Sequence, residues 1–173
     1  MPNLLNLKEI RKAGVADEEM VARAMFSPSF FKRSGAIGAQ AFFLTPFNGN
    51  KEKEISVIRE KMCPDICATV KKITSRKDGD KVCGIAELNV GAIRSLSYIR
   101  GTDDVNVDVK ATPSPNMLFH AGIVIRNHNR RYSSEDNGIQ PIPVALMTIM
   151  NRLAHISSYV PFVKEINGAQ REE

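Results

Sequence analysis

The sequence has 173 residues, of which 43% are hydrophobic and 25% are charged, and its net charge is +5 at pH 7. This composition supplies enough apolar material for a core without a metal or disulfide, and it is unlike that of a disordered chain. The positive net charge favours attraction to polyanions such as nucleic acid, and it carries no information about the fold.

Two features favour a cytoplasmic protein without a membrane segment. Residues 1–12 lack the uninterrupted apolar run of a secretory signal, and no apolar run elsewhere is long enough to span a bilayer. The cysteines, Cys63, Cys67 and Cys83, are odd in number, which argues against a secreted disulfide framework.

The N-terminal part of the chain is predicted to form one clear helix and one strand pair. Asp17 is a suitable N-cap for a helix over 17–25, whose apolar residues recur at helical spacing. Residues 39–44 and 54–59 are predicted to be strands, and the Asn-Gly turn at 48–50 between them favours an antiparallel hairpin.

The rest of the chain alternates between strands and helices. A proline at position 64 is typical of a helix start, and valines at every second position over 105–109 are typical of a strand. Apolar runs indicate the remaining core elements. The predicted elements are a helix over 64–75, a strand over 81–89 leading into a short helix over 90–96, strands over 105–109 and 118–125, a mobile loop over 126–140 and the main core helix over 144–157.

This pattern predicts an α+β fold. Crossover helices are few and a hairpin is expected, which favours a mixed or mainly antiparallel sheet covered by helices over a doubly wound parallel sheet. We expect a single layer-packed domain over residues 1–163, followed by a frayed tail over 164–173.

Three residues are candidates for catalysis. His120 lies between Phe119 and Ala121-Gly122 on an apolar strand, where an imidazole with open space beside it can transfer a proton. Arg59 ends a predicted strand and can grip a phosphate or carboxylate, and Glu87 precedes a helix. The alternatives are a buried histidine held by one hydrogen bond, a structural ion pair at Arg59 and a helix-start role for Glu87.

The densest basic cluster is a candidate for ligand binding. Its members are Arg126, His128, Arg130, Arg131 and Tyr132. Arginines in a loop can bind backbone phosphates while a tyrosine stacks on a base. The alternative is a solvated loop without a ligand.

No metal or cofactor is predicted. Cys63 and Cys67 are four residues apart, which is a poor match to the Cys-x₂-Cys spacing of zinc sites. The sequence also lacks a P-loop, a dinucleotide-binding glycine turn and a nucleophile elbow.

Several short motifs occur in an order that resembles a group of small uncharacterised bacterial proteins. They are Ala41-Phe42, Ser56-Val57-Ile58-Arg59, Gly84-Ile85-Ala86-Glu87, Pro113-Ser114-Pro115-Asn116 and His120-Ala121-Gly122-Ile123. The group has no established activity, so the resemblance implies no reaction. It implies that Arg59, Glu87 and His120 are the first positions to test.

Three functional hypotheses follow from the sequence. The first is a small cytosolic binding or accessory protein that contacts nucleic acid through the basic loop. The alternative is an enzyme acting on a phosphate-containing substrate, with Arg59 as anion clamp, His120 as general acid or base and Glu87 assisting. A third is a subunit that binds a protein partner through a partly exposed helix over 144–157.

Overall fold

Eight strands form one sheet in the computed structural model, which describes residues 4–44, 53–73 and 81–162. The strands are β1 Met20–Ser27, β2 Ile55–Arg59, β3 Lys81–Asn89, β4 Ser97–Arg100, β5 Asp103–Ala111, β6 His120–Asn127, β7 Arg130–Arg131 and β8 Ser158–Pro161. Their order is β4-β5-β6-β2-β1-β3-β8, and β7 pairs with β6. Every pairing between these strands is antiparallel, which confirms the predicted α+β fold with a mainly antiparallel sheet.

One helix of the described residues precedes β1 and the others lie between strands along the chain. They are α1 Leu4–Ala13, α2 Ile66–Ile73, α3 Val90–Arg94, α4 Ser134–Gly138 and α5 Val144–Ile156. Within the described ranges, no helix is long and apolar enough to cross a membrane.

One side of the sheet, which we call the first face, carries the main core. Val57 and Ile123 point to this side and pack in one cluster with Leu146 and Leu153 of α5. Both leucines are fully buried, which confirms the predicted main core helix over 144–157.

The opposite side, which we call the second face, has a smaller core. Ala22, Ile58 and Ile85 share this side because Ala22 is the register partner of Ile58 and Ile85 lies two residues from the β3 partner of Ala22. Val70 of α2 packs against them. The sheet is therefore covered by helices on both sides.

Most predicted elements in the middle of the chain are confirmed, with small shifts at their ends. α2, β3, α3, β5 and β6 correspond to the elements predicted over 64–75, 81–89, 90–96, 105–109 and 118–125. The alternating valines of β5 are buried at every second position, as a strand with one covered face requires.

The predicted helix over 17–25 is wrong, because this segment becomes β1. Its apolar residues fit the helical period, yet β1 lies in the sheet interior between β2 and β3 and is buried on both faces. A strand covered on both faces has no polar alternation, so pairing with its neighbours outweighs the local helical pattern.

The predicted strand over 39–44 is also wrong. Ala39–Phe42 is a short 3-10 turn whose apolar side chains pack against α5. β2 therefore pairs with β1 and β6, and no hairpin forms from 39–44. The turn at 48–50 and the tail over 164–173 lie outside the described residues.

The predicted loop over 126–140 is largely ordered secondary structure. β6 continues to Asn127, β7 follows after a turn, and α4 begins after Ser133. Ser133 and Asp136 form a reciprocal capping box that satisfies backbone N–H groups at the start of α4. The edge strands β4 and β8 were not predicted.

Candidate functional site

The strand register places His120 and Glu87 on the same face of the sheet but not together. His120 pairs with Ile58, Ile58 with Ala22, and Ala22 with Glu87, so the four residues form one row across the second face. His120 and Glu87 are three strands apart, which is about 14 Å at the usual strand spacing. The register does not bring the two side chains into hydrogen-bonding reach.

Arg59 lies beside this row but points to the first face. Its guanidinium donates two hydrogen bonds to the Glu19 carboxylate, at 2.9 Å from Nε and 2.8 Å from Nη2, and both residues are 4% exposed. Lys61 Nζ lies 2.8 Å from the same carboxylate. Arg59 thus forms the structural ion pair that the sequence left open as an alternative, and its carboxylate partner comes from the chain itself.

This ion pair lowers the pKa of the Glu19 carboxyl. Burial by itself would raise the pKa of this carboxyl. Hydrogen bonds from Arg59, the Ala16 amide and Lys61 outweigh that effect and lower the pKa to about 2. Glu19 is therefore ionised wherever the protein is folded at ordinary pH, and it is not a candidate proton donor.

His120 is linked to two polar residues that no sequence pattern indicates, directly to Thr112 and through Thr112 to Glu54. Its Nδ1 lies 2.8 Å from the Thr112 hydroxyl and 3.2 Å from the Thr112 carbonyl oxygen. The same hydroxyl donates to Glu54 Oε1 at 3.2 Å. We call Glu54, Thr112 and His120 the histidine cluster.

Gly122 makes room for this cluster. A methyl group on Gly122 would clash with the Glu54 side chain, with 2.8 Å to its Cβ. The open space expected beside His120 therefore exists and is filled by a carboxylate. Glu54 and Thr112 escape notice in the sequence because only the pairing of β6 with its neighbours on both sides makes them neighbours of His120.

The pKa of a second carboxyl, that of Glu60, is also shifted. Burial, followed by the charge of Glu87, raises the pKa of Glu60. Glu60 Oε1 is buried and has no hydrogen-bond partner in the described structure. No sequence pattern indicates this carboxyl, because Glu60 approaches Glu87 only in the folded chain.

Three members of the basic cluster have partners within the protein. Arg130 binds Asp136 at 2.5 Å and lies over the ring of Tyr132. The ring nitrogen Nε2 of His128 lies 2.8 Å from the carbonyl oxygen of Thr102. Tyr132 is 3% exposed and packs in the main core, so its ring is not available to stack on a base.

The other two members, Arg126 and Arg131, face each other. They are cross-strand partners of β6 and β7, an arrangement that puts Cβ atoms about 5 Å apart. Neither side chain has an ion-pair or hydrogen-bond partner among the residues that the structure describes, and Arg126 Nε is buried in that state. We call these two residues the arginine pair. Arg126 and His120 lie on the same face of β6, six residues apart, so the arginine pair and the histidine cluster are separate sites.

The cysteines do not gather at one place. Cys63 is buried with its sulfur 3.3 Å from the Thr69 hydroxyl, Cys67 is exposed, and Cys83 donates to the Met25 carbonyl at 3.5 Å. In the described ranges, no group of three or more potential metal ligands is found.

A groove of about 420 Å³ lies between the 32–37 loop, the end of α5 and β8. Its lining includes Lys32, Asn151, His155 and Tyr159. The sequence did not indicate this groove, because its walls come from three segments that are far apart in the chain.

Comparison with known proteins gives no further assignment: no protein-family model, curated protein sequence or solved structure matches the chain.

Proposed function

We propose that this protein binds a phosphodiester polyanion, such as a nucleic acid, through the arginine pair. One observation carries the proposal. Arg126 and Arg131 face each other across β6 and β7, and neither has an acidic partner in the described part of the chain. Directly opposed like charges destabilise a strand pair, so an anion between them would relieve a repulsion present in the free protein.

A phosphate group supplies the negatively charged hydrogen-bond acceptors that this pair lacks. A guanidinium group presents its N–H donors in a planar fork that matches two phosphate oxygens. Phosphate oxygens accept from guanidinium N–H groups, and both arginine side chains are only partly buried. The net charge of +5 also favours the approach of a polyanion.

The rest of the basic cluster supports contact with the backbone of a nucleic acid and not with its bases. Tyr132 is buried and Arg130 is bound to Asp136. Phosphate contacts position a nucleic acid without reading its sequence. We therefore expect weak dependence on sequence and strong dependence on salt.

The test compares the binding of a fluorescently labelled 20-nucleotide poly(U) RNA to the full chain and to Arg126→Gln/Arg131→Gln at low salt. We expect the double variant to bind about tenfold or more weakly, because each lost contact is a hydrogen bond to a charged group. Fluorescence anisotropy gives both dissociation constants.

The matched control is Arg33→Gln/Arg100→Gln, which removes the same charge from two exposed arginines elsewhere. If both double variants lose affinity equally, net charge alone drives binding and the assignment to the arginine pair is wrong. Absence of binding by the unmodified chain at low salt would also overturn the proposal.

A further inference from the structure

We propose that the histidine cluster is a proton-transfer site, in which His120 Nε2 is the catalytic base and Thr112 and Glu54 are positioning residues. This site is separate from the arginine pair and does not depend on polyanion binding. The geometry of the cluster fixes the direction of its hydrogen bonds, and that direction determines which ring nitrogen carries the proton.

The direction follows from the two acceptors in the cluster. The Thr112 carbonyl oxygen lies 3.2 Å from His120 Nδ1 and can only accept, so this contact is a hydrogen bond when Nδ1 carries the hydrogen, which favours that tautomer. The Thr112 hydroxyl donates its single proton to Glu54, so its oxygen accepts from Nδ1 at 2.8 Å. In the neutral ring, Nε2 is therefore unprotonated.

This chain of hydrogen bonds also supports the charged form of the ring. When Nε2 takes a proton from a substrate, the imidazolium remains connected to the Glu54 carboxylate through the Thr112 hydroxyl. A histidine base that is oriented by a hydrogen-bonded carboxylate is a common arrangement for activating a nucleophile. Among the described residues, no hydrogen bond to His120 Nε2 is present, so the acceptor is not occupied by the protein.

The charges near the cluster indicate the class of substrate. Glu54, Glu60 and Glu87 all lie on this side of the sheet. Several cations on neighbouring elements, in contrast, have partners in the described structure. Arg59 and Lys61 bind Glu19, Arg11 donates to the Pro113 carbonyl, and Lys110 Nζ lies 4.0 Å from Asp108.

The carboxylates would repel a phosphate. The site fits an uncharged or cationic molecule that carries a hydroxyl group or an activated water. In the step, Nε2 takes the proton of that group while its oxygen forms a bond to an electrophilic carbon of the substrate, and Nε2 then gives the proton to the oxygen that leaves that carbon.

The first experiment measures the tautomer of His120 by long-range ¹H–¹⁵N correlation at a pH where the ring is neutral. We expect the Nδ1–H form in the unmodified chain and in Thr112→Ser, which keeps the hydroxyl group. Thr112→Val should shift the ring toward the Nε2–H form. A protonated Nε2 in the unmodified chain would overturn the proposal, and this result does not depend on whether any variant folds.

The second experiment measures reactivity with p-nitrophenyl acetate. Nε2 takes a proton from water as the water oxygen attacks the acetyl carbon, which expels p-nitrophenolate and leaves acetate. The chain has three histidines, so the exposed His128 and His155 are first replaced by His128→Asn and His155→Gln.

In that background, we expect His120→Gln to remove the release of p-nitrophenolate above buffer. Glu54→Gln should slow it about tenfold, the scale of one hydrogen bond to a charged group. Thr112→Ser should retain most of the rate. Equal rates with and without His120 would show that the site lacks the proposed reactivity.

Discussion

At the scale of single residues, the Glu19–Arg59 pair is the most deeply buried ion pair among the described residues. It is bidentate, almost fully buried, and joined by Lys61 from the surface. Breaking a buried pair on one side is more costly than removing a surface ion pair, because the remaining charge stays buried without a partner. The pair therefore fixes the turn before β1 to the end of β2.

Glu19→Gln should lower the free energy of unfolding by about 3 kcal/mol at pH 7, the equivalent of a pKa lowered from 4.5 to about 2. The stabilisation is present above pH 4.5, because the carboxyl is then ionised in both states. As the pH falls toward 2, the unfolded chain binds a proton before the folded one does, and the stabilisation is lost. Urea unfolding between pH 7 and pH 3 should show the difference from the unmodified chain narrowing.

Glu18→Gln is the control for this prediction, since Glu18 is the exposed neighbour. It should change the free energy of unfolding by less than about 0.5 kcal/mol. A Glu19→Gln deficit that stays constant with pH would mean that the lowered pKa does not contribute to stability.

At the scale of elements, the edge strand β8 depends on a glycine in its neighbour. A methyl group on Gly84 would clash with the Val160 carbonyl oxygen and come within 2.7 Å of the Tyr159 ring. Gly84 is thus the position where β3 lets β8 approach closely.

Gly84→Ala should displace β8 and lower the free energy of unfolding by about 1–3 kcal/mol, the range for overpacking. Hydrogen exchange should become faster at the amides of residues 158–160, while β5 and β6 keep their protection. Gly138→Ala is the matched control, because a methyl group there meets nothing within 4 Å. Unchanged exchange in β8 would contradict this account.

The elements also show how far the sequence predicts the fold. The alternating valines of β5 and the apolar run of β6 are read correctly, because each pattern fits one structure. β1 is misread, because a strand buried on both faces has the same apolar content as a short helix.

The candidate sites are predicted less completely than the fold, for a related reason. Arg126, Arg131 and His120 are identified from residue type alone. Strand register decides whether each of these residues has a partner and which one it is. It places Thr112 beside His120 and Arg126 beside Arg131. Register is a property of the folded sheet and is not visible in one strand at a time.

At the scale of the whole molecule, α5 joins the main core. Leu146, Ile149, Met150 and Leu153 are fully buried, whereas Val144 at the start of the helix is 65% exposed. The apolar face of this helix is thus covered by the sheet and the 39–42 turn within the same chain.

Leu153→Ala should therefore lower the free energy of unfolding by about 3 kcal/mol, through lost burial and the cavity that remains. Val144→Ala should change it by less than about 0.5 kcal/mol, because the side chain is already exposed. Urea unfolding at pH 7 measures both. Equal effects of the two substitutions would mean that α5 does not pack as described.

The most direct test of the proposed function is the salt dependence of RNA binding. The logarithm of the association constant falls linearly with the logarithm of salt concentration, by roughly 0.7 for each phosphate contact with a single strand. We predict that Arg126→Gln/Arg131→Gln reduces this slope by roughly 1.4, for two lost contacts, while Arg33→Gln/Arg100→Gln leaves it unchanged. The same slope for the unmodified chain and the Arg126/Arg131 variant would show that these two arginines do not contact phosphate.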